Sequence, residues 1–222
     1  MKLFETTKLF WGEYLYRLSL RNTLSPIFRE KNLSYARQVL DKLQQSYEKG
    51  DPLFLYHGTR QKPIIEENFF DAKRLYIAFS RFENYKVRVE STHLSIYSND
   101  LDWIEKLSKD LDQESLISIH KPNPKFTDIL DKNIILIDDD IGYEYKVTLG
   151  YRSGSPEFAQ WAEKNPKMIK VGPKAKEEMM NSGYVSGMYF YARDERTLQL
   201  CNLMLSNIRR IDKLVVKQDI DK

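Results

Sequence analysis

Cysteine is nearly missing from this 222-residue chain: Cys201 is the only one, which excludes an internal disulfide framework and any Cys-rich zinc site. Histidine is almost as scarce. The three present, His57, His93 and His120, are too few and too scattered for a His-rich metal site, so neither metal nor cofactor is expected. No stretch approaches the ~18–20 apolar residues that a membrane span needs, and no membrane partner is expected. The start, Met1-Lys2-Leu3-Phe4-Glu5, places an acid at position 5 and lacks a small-residue cleavage site, which argues against a secretory signal. Strong charge of one sign is missing too. The net charge of +3 is mildly basic, short of the excess of a dedicated duplex-DNA binder.

What the chain has in quantity is aromatic side chains: 14 Tyr, 11 Phe and 3 Trp, many beside Lys or Arg. Phe and Trp are read chiefly as core. Tyr is divided between core and surface, because its ring is apolar and its hydroxyl is not.

An internal repeat organises the sequence. Tyr14-Leu15-Tyr16-Arg17-Leu18-Ser19-Leu20 parallels Tyr143-Glu144-Tyr145-Lys146-Val147-Thr148-Leu149. His93-Leu94-Ser95-Ile96-Tyr97-Ser98-Asn99-Asp100 parallels Gly187-Met188-Tyr189-Phe190-Tyr191-Ala192-Arg193-Asp194. All four segments alternate with the period of a half-buried strand, and each second segment runs into an acid that can cap a helix. In the first half the pattern predicts a strand over 14–21, a helix over about 33–48, strands over 85–90 and 93–98, a helix from Asn99 or Asp100, and a strand over 116–120. In the second it predicts a strand over 143–149, a helix opening at Ser155-Pro156, a strand over 167–171, a short helix at 174–181, a strand over 187–192, a helix capped by Asp194, and a last strand near 208–216. Cys201 falls on the inner face of that last helix and reads as a small buried apolar residue.

The order is β-α-β-β-α-β twice. The expected fold is therefore α+β, two tandem ferredoxin-like (RRM-like) units. The first covers 1–122 with an insertion at about 51–80. A join follows at 123–142, whose Ile134-Ile135-Leu136-Ile137 reads as a short strand and whose Asp138-Asp139-Asp140 reads as a solvated turn. The second unit covers 143–222. Helices should cover one face of each sheet and leave the other open. Alternation then places Tyr14, Tyr16, Leu18 and Leu20 toward the helices, and Arg17, Arg21, Lys86, Arg88, His93 and Tyr97 on the open face of the first unit. On the second it places Lys146, Lys170, Tyr189, Tyr191 and Arg193.

A basic, tyrosine-bearing sheet face suits single-stranded RNA or DNA: cations neutralise phosphates and rings stack on unpaired bases. Arg17, Arg21, Lys86, Arg88, Lys146, Lys170 and Arg193 are the candidate phosphate contacts; Tyr97, Tyr189 and Tyr191 are the candidate stacking rings. The alternative is burial of these faces in an interface, hence an oligomerising or virion-associated protein-interaction module.

Four resemblances bear on function. Gly187-Met-Tyr-Phe-Tyr-Ala-Arg193 resembles the central strand of RNA-recognition motifs, without their leading basic residue and second glycine. Leu53-Phe-Leu-Tyr-His-Gly-Thr-Arg60 resembles the NAD-binding strand of ADP-ribosyltransferases. That likeness implies a ribose-holding role for His57, a following helix at Ile64–Phe69, and a next strand at Leu75–Ser80 with Tyr76 or Ser80 in its role. The length and the two-unit plan are similar to those of metal-independent CRISPR-repeat RNA endonucleases, which implies an RNA-processing enzyme with no residue carried over. Finally, Tyr143–Leu149, Tyr189–Leu198 and Ile208–Val215 resemble segments of small proteins of tailed bacteriophages. This implies a viral setting, in the host cytoplasm or the virion, and possible contacts with other viral proteins are part of that expectation.

Overall fold

Apolar residues at every second position set the strands, and apolar residues at every third or fourth set the helices packed on them. The computed structural model describes residues 1–57 and 60–220, the side chains of His57 and Arg60 excepted. It divides into two units, Met1–Thr127 and Asp128–Lys222. Both are α+β.

The first unit runs β1 (Lys2–Glu5), β2 (Tyr16–Arg21), a 3-10 segment (Ser25–Lys31), α1 (Leu33–Glu48), a hairpin of β3 (Phe54–His57) and β4 (Arg60–Pro63), α2 (Glu66–Arg81), β5 (Tyr85–Glu90), β6 (His93–Ser98), α3 (Leu101–Asp110) and β7 (Leu116–Lys121). Its main sheet has the order β1-β7-β2-β6-β5. β1 lies parallel to β7, and the other neighbours are antiparallel. The second unit runs β8 (Ile134–Ile137), β9 (Tyr145–Leu149), α4 (Pro156–Lys164), β10 (Ile169–Val171), α5 (Pro173–Met180), β11 (Tyr189–Ala192), α6 (Glu195–Met204), β12 (Ile208–Val216) and α7 (Lys217–Ile220). Its sheet, read from the same end, is β8-β12-β9-β11-β10, again with a parallel pair at one edge and antiparallel pairs elsewhere. Position by position the two sheets have the same strand order and the same strand directions.

Matching side chains start the helices that follow β6 and β11. Asp100 accepts from the Trp103 amide at 2.8 Å and Asp194 from the Thr197 amide at 2.8 Å. Ser155 does the same for α4 through Phe158 at 3.1 Å. Each such cap contributes about 1 kcal/mol. The helices cover one sheet face. Leu18, Leu20, Leu94, Ile96, Leu116 and Ile119 of the first sheet are buried with Leu40, Phe69, Leu75, Phe79, Ile104 and Leu107 of its helices. In the second unit Val147, Leu149, Phe190 and Ala192 are buried with Phe158, Met179, Leu198 and Cys201. Burial pushes the Cys201 thiol up to about 12, so it sits there as a neutral apolar group.

Three expectations are corrected. The segment 51–80 is more than an insertion. Phe69, Ala72, Leu75 and Phe79 recur at helical spacing and are buried, which makes α2 a core helix beside α1. For the same reason Leu75–Ser80 is helix rather than strand, so the element order implied by the ADP-ribosyltransferase likeness is not the one found. The His57 side chain, Gly58 and Thr59 lie outside the described residues. Last, β2 begins at Tyr16, so Tyr14 belongs to the preceding turn and packs on the opposite side of the sheet from the helices.

Asp71 on α2 is fully buried and accepts from donors on its own helix and on the turn before β7. Its carboxylate accepts from the Asp112 amide (3.0 and 3.3 Å), the Ser115 hydroxyl (2.9 Å) and Arg74 (3.0 Å), which ties α2 to the turn before β7. Replacing it strands a buried amide and a hydroxyl. Asp71→Ala is expected to cost about 2–4 kcal/mol, read as a lowered urea midpoint at unchanged slope.

Candidate functional site

The site begins with strand register. In the first unit Lys86 pairs with Tyr97, Tyr97 with Arg17, Arg17 with His120, and His120 with Phe4. Because side chains directly opposite one another share a face, these five residues form one row across the sheet, on the side away from the helices. In the second unit Lys170 pairs with Tyr191, Tyr191 with Lys146, and Lys146 with Asp212. The central motif is the same in both: a tyrosine flanked on the neighbouring strands by two cations. Even the tyrosine before each first strand repeats. Tyr14 meets Tyr97 at 6.4 Å and 40°, and Tyr143 meets Tyr191 at 6.2 Å and 35°.

The surroundings of the two rows differ. Ten residues (6–15) join β1 to β2, and they fold over the first row. Trp11 and Gly12 both take positive φ (59° and 73°) at the tip of this loop. Phe10 packs on Tyr97 (5.4 Å) and edge-on to His120 (5.6 Å, 89°); Trp11 stands edge-on to Tyr97 (6.1 Å, 89°). Lys86 Nζ lies 4.1 Å from the Trp11 ring centroid, and the Arg17 guanidinium lies 5.1 Å from that of Phe10. Tyr97 is left 4% exposed. The expectation of a solvent-facing Tyr97 is therefore corrected: it is on the predicted sheet face, but its own N-terminal loop roofs it.

Under this roof Arg17 donates from Nη2 to His120 Nε2, and Arg17 Nε is buried without a partner. His120 also stacks on Phe4 at 4.9 Å and 21°. Burial, reinforced by the adjacent Arg17 charge, lowers the His120 pKa to about 4, so the ring is neutral at pH 7 and free to accept.

The remaining candidates of the first unit are dispersed. Arg88 is exposed and paired with Glu90. Arg21 is exposed at the far end of β2, about 13 Å from Arg17 by strand rise, with Nη2 at 3.5 Å from His93 Nε2.

In the second unit only seven residues (138–144) join β8 to β9, and Tyr143 is their only aromatic ring. The row stays open. Tyr189, 43% exposed, stands edge-on to Tyr191 at 5.5 Å and 74°. Lys146 Nζ sits 3.9 Å from the Tyr189 ring centroid. Burial, the neighbouring Tyr189 and a hydrogen bond with it raise the Tyr191 pKa, so that phenol is neutral at physiological pH. Lys170 is exposed beside a cavity of about 630 Å³ that reaches Tyr189, Tyr191 and Lys174. At the other end of the row Asp212 is fully buried and accepts from Arg210 Nε at 2.7 Å. Arg193 is exposed and engaged by Asp194 at 3.1 Å.

The structure thus brings Lys146, Lys170, Tyr189 and Tyr191 together on one face, with Lys170 and Tyr189 exposed and Lys146 and Tyr191 half-buried. It brings Arg17, Lys86 and Tyr97 together beneath a roof, and leaves Arg21, Arg88 and Arg193 apart. Sequence reasoning missed the roof residues Phe10 and Trp11, and Lys174. The run Leu9-Phe10-Trp11, apolar and outside any periodic segment, was the available signal for the roof.

His120 supplies a pH test. Its folded pKa lies below the ordinary value of 6.5, so between those two values the unfolded chain binds more protons. The stability attached to neutral His120 is present above pH 6.5 and is lost as pH falls toward 4. The urea midpoint should decline across that window more steeply in the parent than in His120→Gln, and equal slopes would refute the coupling. Comparison with protein-family models, with curated proteins and with solved structures gives no match, so function is read from this geometry.

Proposed function

We propose that the chain binds single-stranded RNA or DNA through the open sheet face of its second unit. One observation carries the reading: the in-register row Lys170–Tyr191–Lys146 with Tyr189 beside it, rings and ammonium groups alternating on a face its helices leave uncovered. Unpaired bases present flat faces about as wide as a phenol ring, and phosphates recur along the same strand. A surface that alternates rings with cations meets both at once. The strand orders support assigning each unit to a ferredoxin-like βαββαβ plan with an added parallel edge strand. The resemblance to small phage proteins supports a viral setting for this activity, as nucleic-acid handling in the infected cell.

Anisotropy titrations with short single strands test the proposal. Affinity should fall with salt, and Lys146→Ala and Lys170→Ala should each reduce the slope of log K against log salt by about 0.7. Tyr191→Ala should weaken binding by about 1–3 kcal/mol at every salt concentration. Tyr97→Ala should leave affinity unchanged and instead lower stability by about 2–4 kcal/mol, since it empties space beneath the roof. Binding that ignores Tyr191 and both lysines would refute the assignment.

A second reading, self-association, is favoured by the outer side of α6. Leu203 is 85% exposed, and Leu200 and Met204 are each 38% exposed. If this patch joins copies of the chain, light scattering of nucleic-acid-free protein will show a mass that rises with concentration and that Leu203→Glu returns to the monomer value. A constant monomer mass would remove this reading.

A further inference from the structure

We infer that the second unit holds a nucleobase pocket at its β10–β11 edge, running from Tyr191 and Lys170 to the start of α5. The inference rests on the nucleic-acid reading above and states where one base and its phosphate sit.

In the first unit each cation has a ring: Arg17 has Phe10, and Lys86 has Trp11, which also stands against Tyr97. In the second unit Lys146 has Tyr189. Lys170, the counterpart of Lys86, meets neither a ring nor a carboxylate among the described residues. Lys170 instead borders a cavity of about 630 Å³ that Tyr189 and Tyr191 also line. Known small-ligand sites span roughly 300–1,000 Å³. Gly187, at φ +78° where the first unit has His93, adds no side chain to its lining.

Its lining specifies the occupant. Tyr191 and Tyr189 offer ring surface, Met188 and Pro173 an apolar wall, and Lys170 and Lys174 two ammonium groups without a carboxylate partner among the described residues. An aromatic side chain from a protein would satisfy the rings and leave both ammonium groups unmatched. A nucleotide satisfies both: its base lies against Tyr191 and its phosphate between Lys170 and Lys174.

Photocrosslinking with a short single strand carrying 5-iodouracil tests this, followed by peptide mapping. The expected adduct is on Tyr191. Ser186→Trp, at the mouth of the cavity, leaves every lysine in place; it should abolish that adduct and weaken binding roughly tenfold or more. Circular dichroism of the variant confirms that it folds. If the strand binds but its adducts map outside 187–193, or if Ser186→Trp binds as tightly as the parent, the pocket is refuted while nucleic-acid binding stands. If no single strand binds even at low salt, the nucleic-acid reading falls and takes the pocket with it.

Discussion

Cross-strand register is the constraint on which everything else in this protein depends. Side chains alternate at every residue, so a slip of one position would send Tyr97 and Tyr191 into the cores and expose Ile96 and Phe190. The two sheets hold the same register and so place a phenol between two cations twice. Cations two strands apart are about 10 Å from each other, and in water they repel by only about 0.4 kcal/mol. Three of the four cations also lie against a ring outside the row's central tyrosine, Arg17 against Phe10, Lys86 against Trp11 and Lys146 against Tyr189, which makes the arrangement tolerable without a carboxylate.

That register was legible in the sequence because it is written in period two. Tyr14–Leu20 against Tyr143–Leu149, and His93–Asp100 against Gly187–Asp194, contain the central two positions of each row, the strand faces and the helix caps, and the structure aligns them strand for strand. Local chemistry such as the Ser155 and Asp194 caps was readable for the same reason: it needs only neighbours in the chain. One edge strand was harder. β1 is four residues long and exposed throughout, and what makes it a strand is pairing with β7, more than a hundred residues away. Segment 51–80 misled because its helical spacing begins only at Phe69, behind a hairpin with no counterpart in the second unit.

The largest gap was the roof. Alternation says which side of a sheet a residue occupies, but not what lies above it. Phe10 and Trp11 lie in a loop whose path depends on two consecutive positive-φ residues and on the aromatic surface waiting at Tyr97. No short-range pattern announces such an encounter. The same blindness applies to the second unit in reverse, since its openness follows from a connection three residues shorter that begins with Asp138-Asp139-Asp140 instead of aromatic side chains.

The roof also explains why the duplicated faces need not share a role. Covering the first row removes water from Arg17 and leaves its Nε unbonded, a cost that the chain offsets with Phe10 above and a neutral histidine beside it. Neutral His120 is what lets a guanidinium be covered without an anion, because a charged ring there would oppose it. The second unit has Asp212 in that strand position, already bonded to Arg210, and leaves Lys170 to solvent. One copy of the row is thus satisfied by its own chain. The other leaves Lys170 exposed beside a cavity that Tyr189 and Tyr191 border, so the two faces present different chemistry from the same strand register.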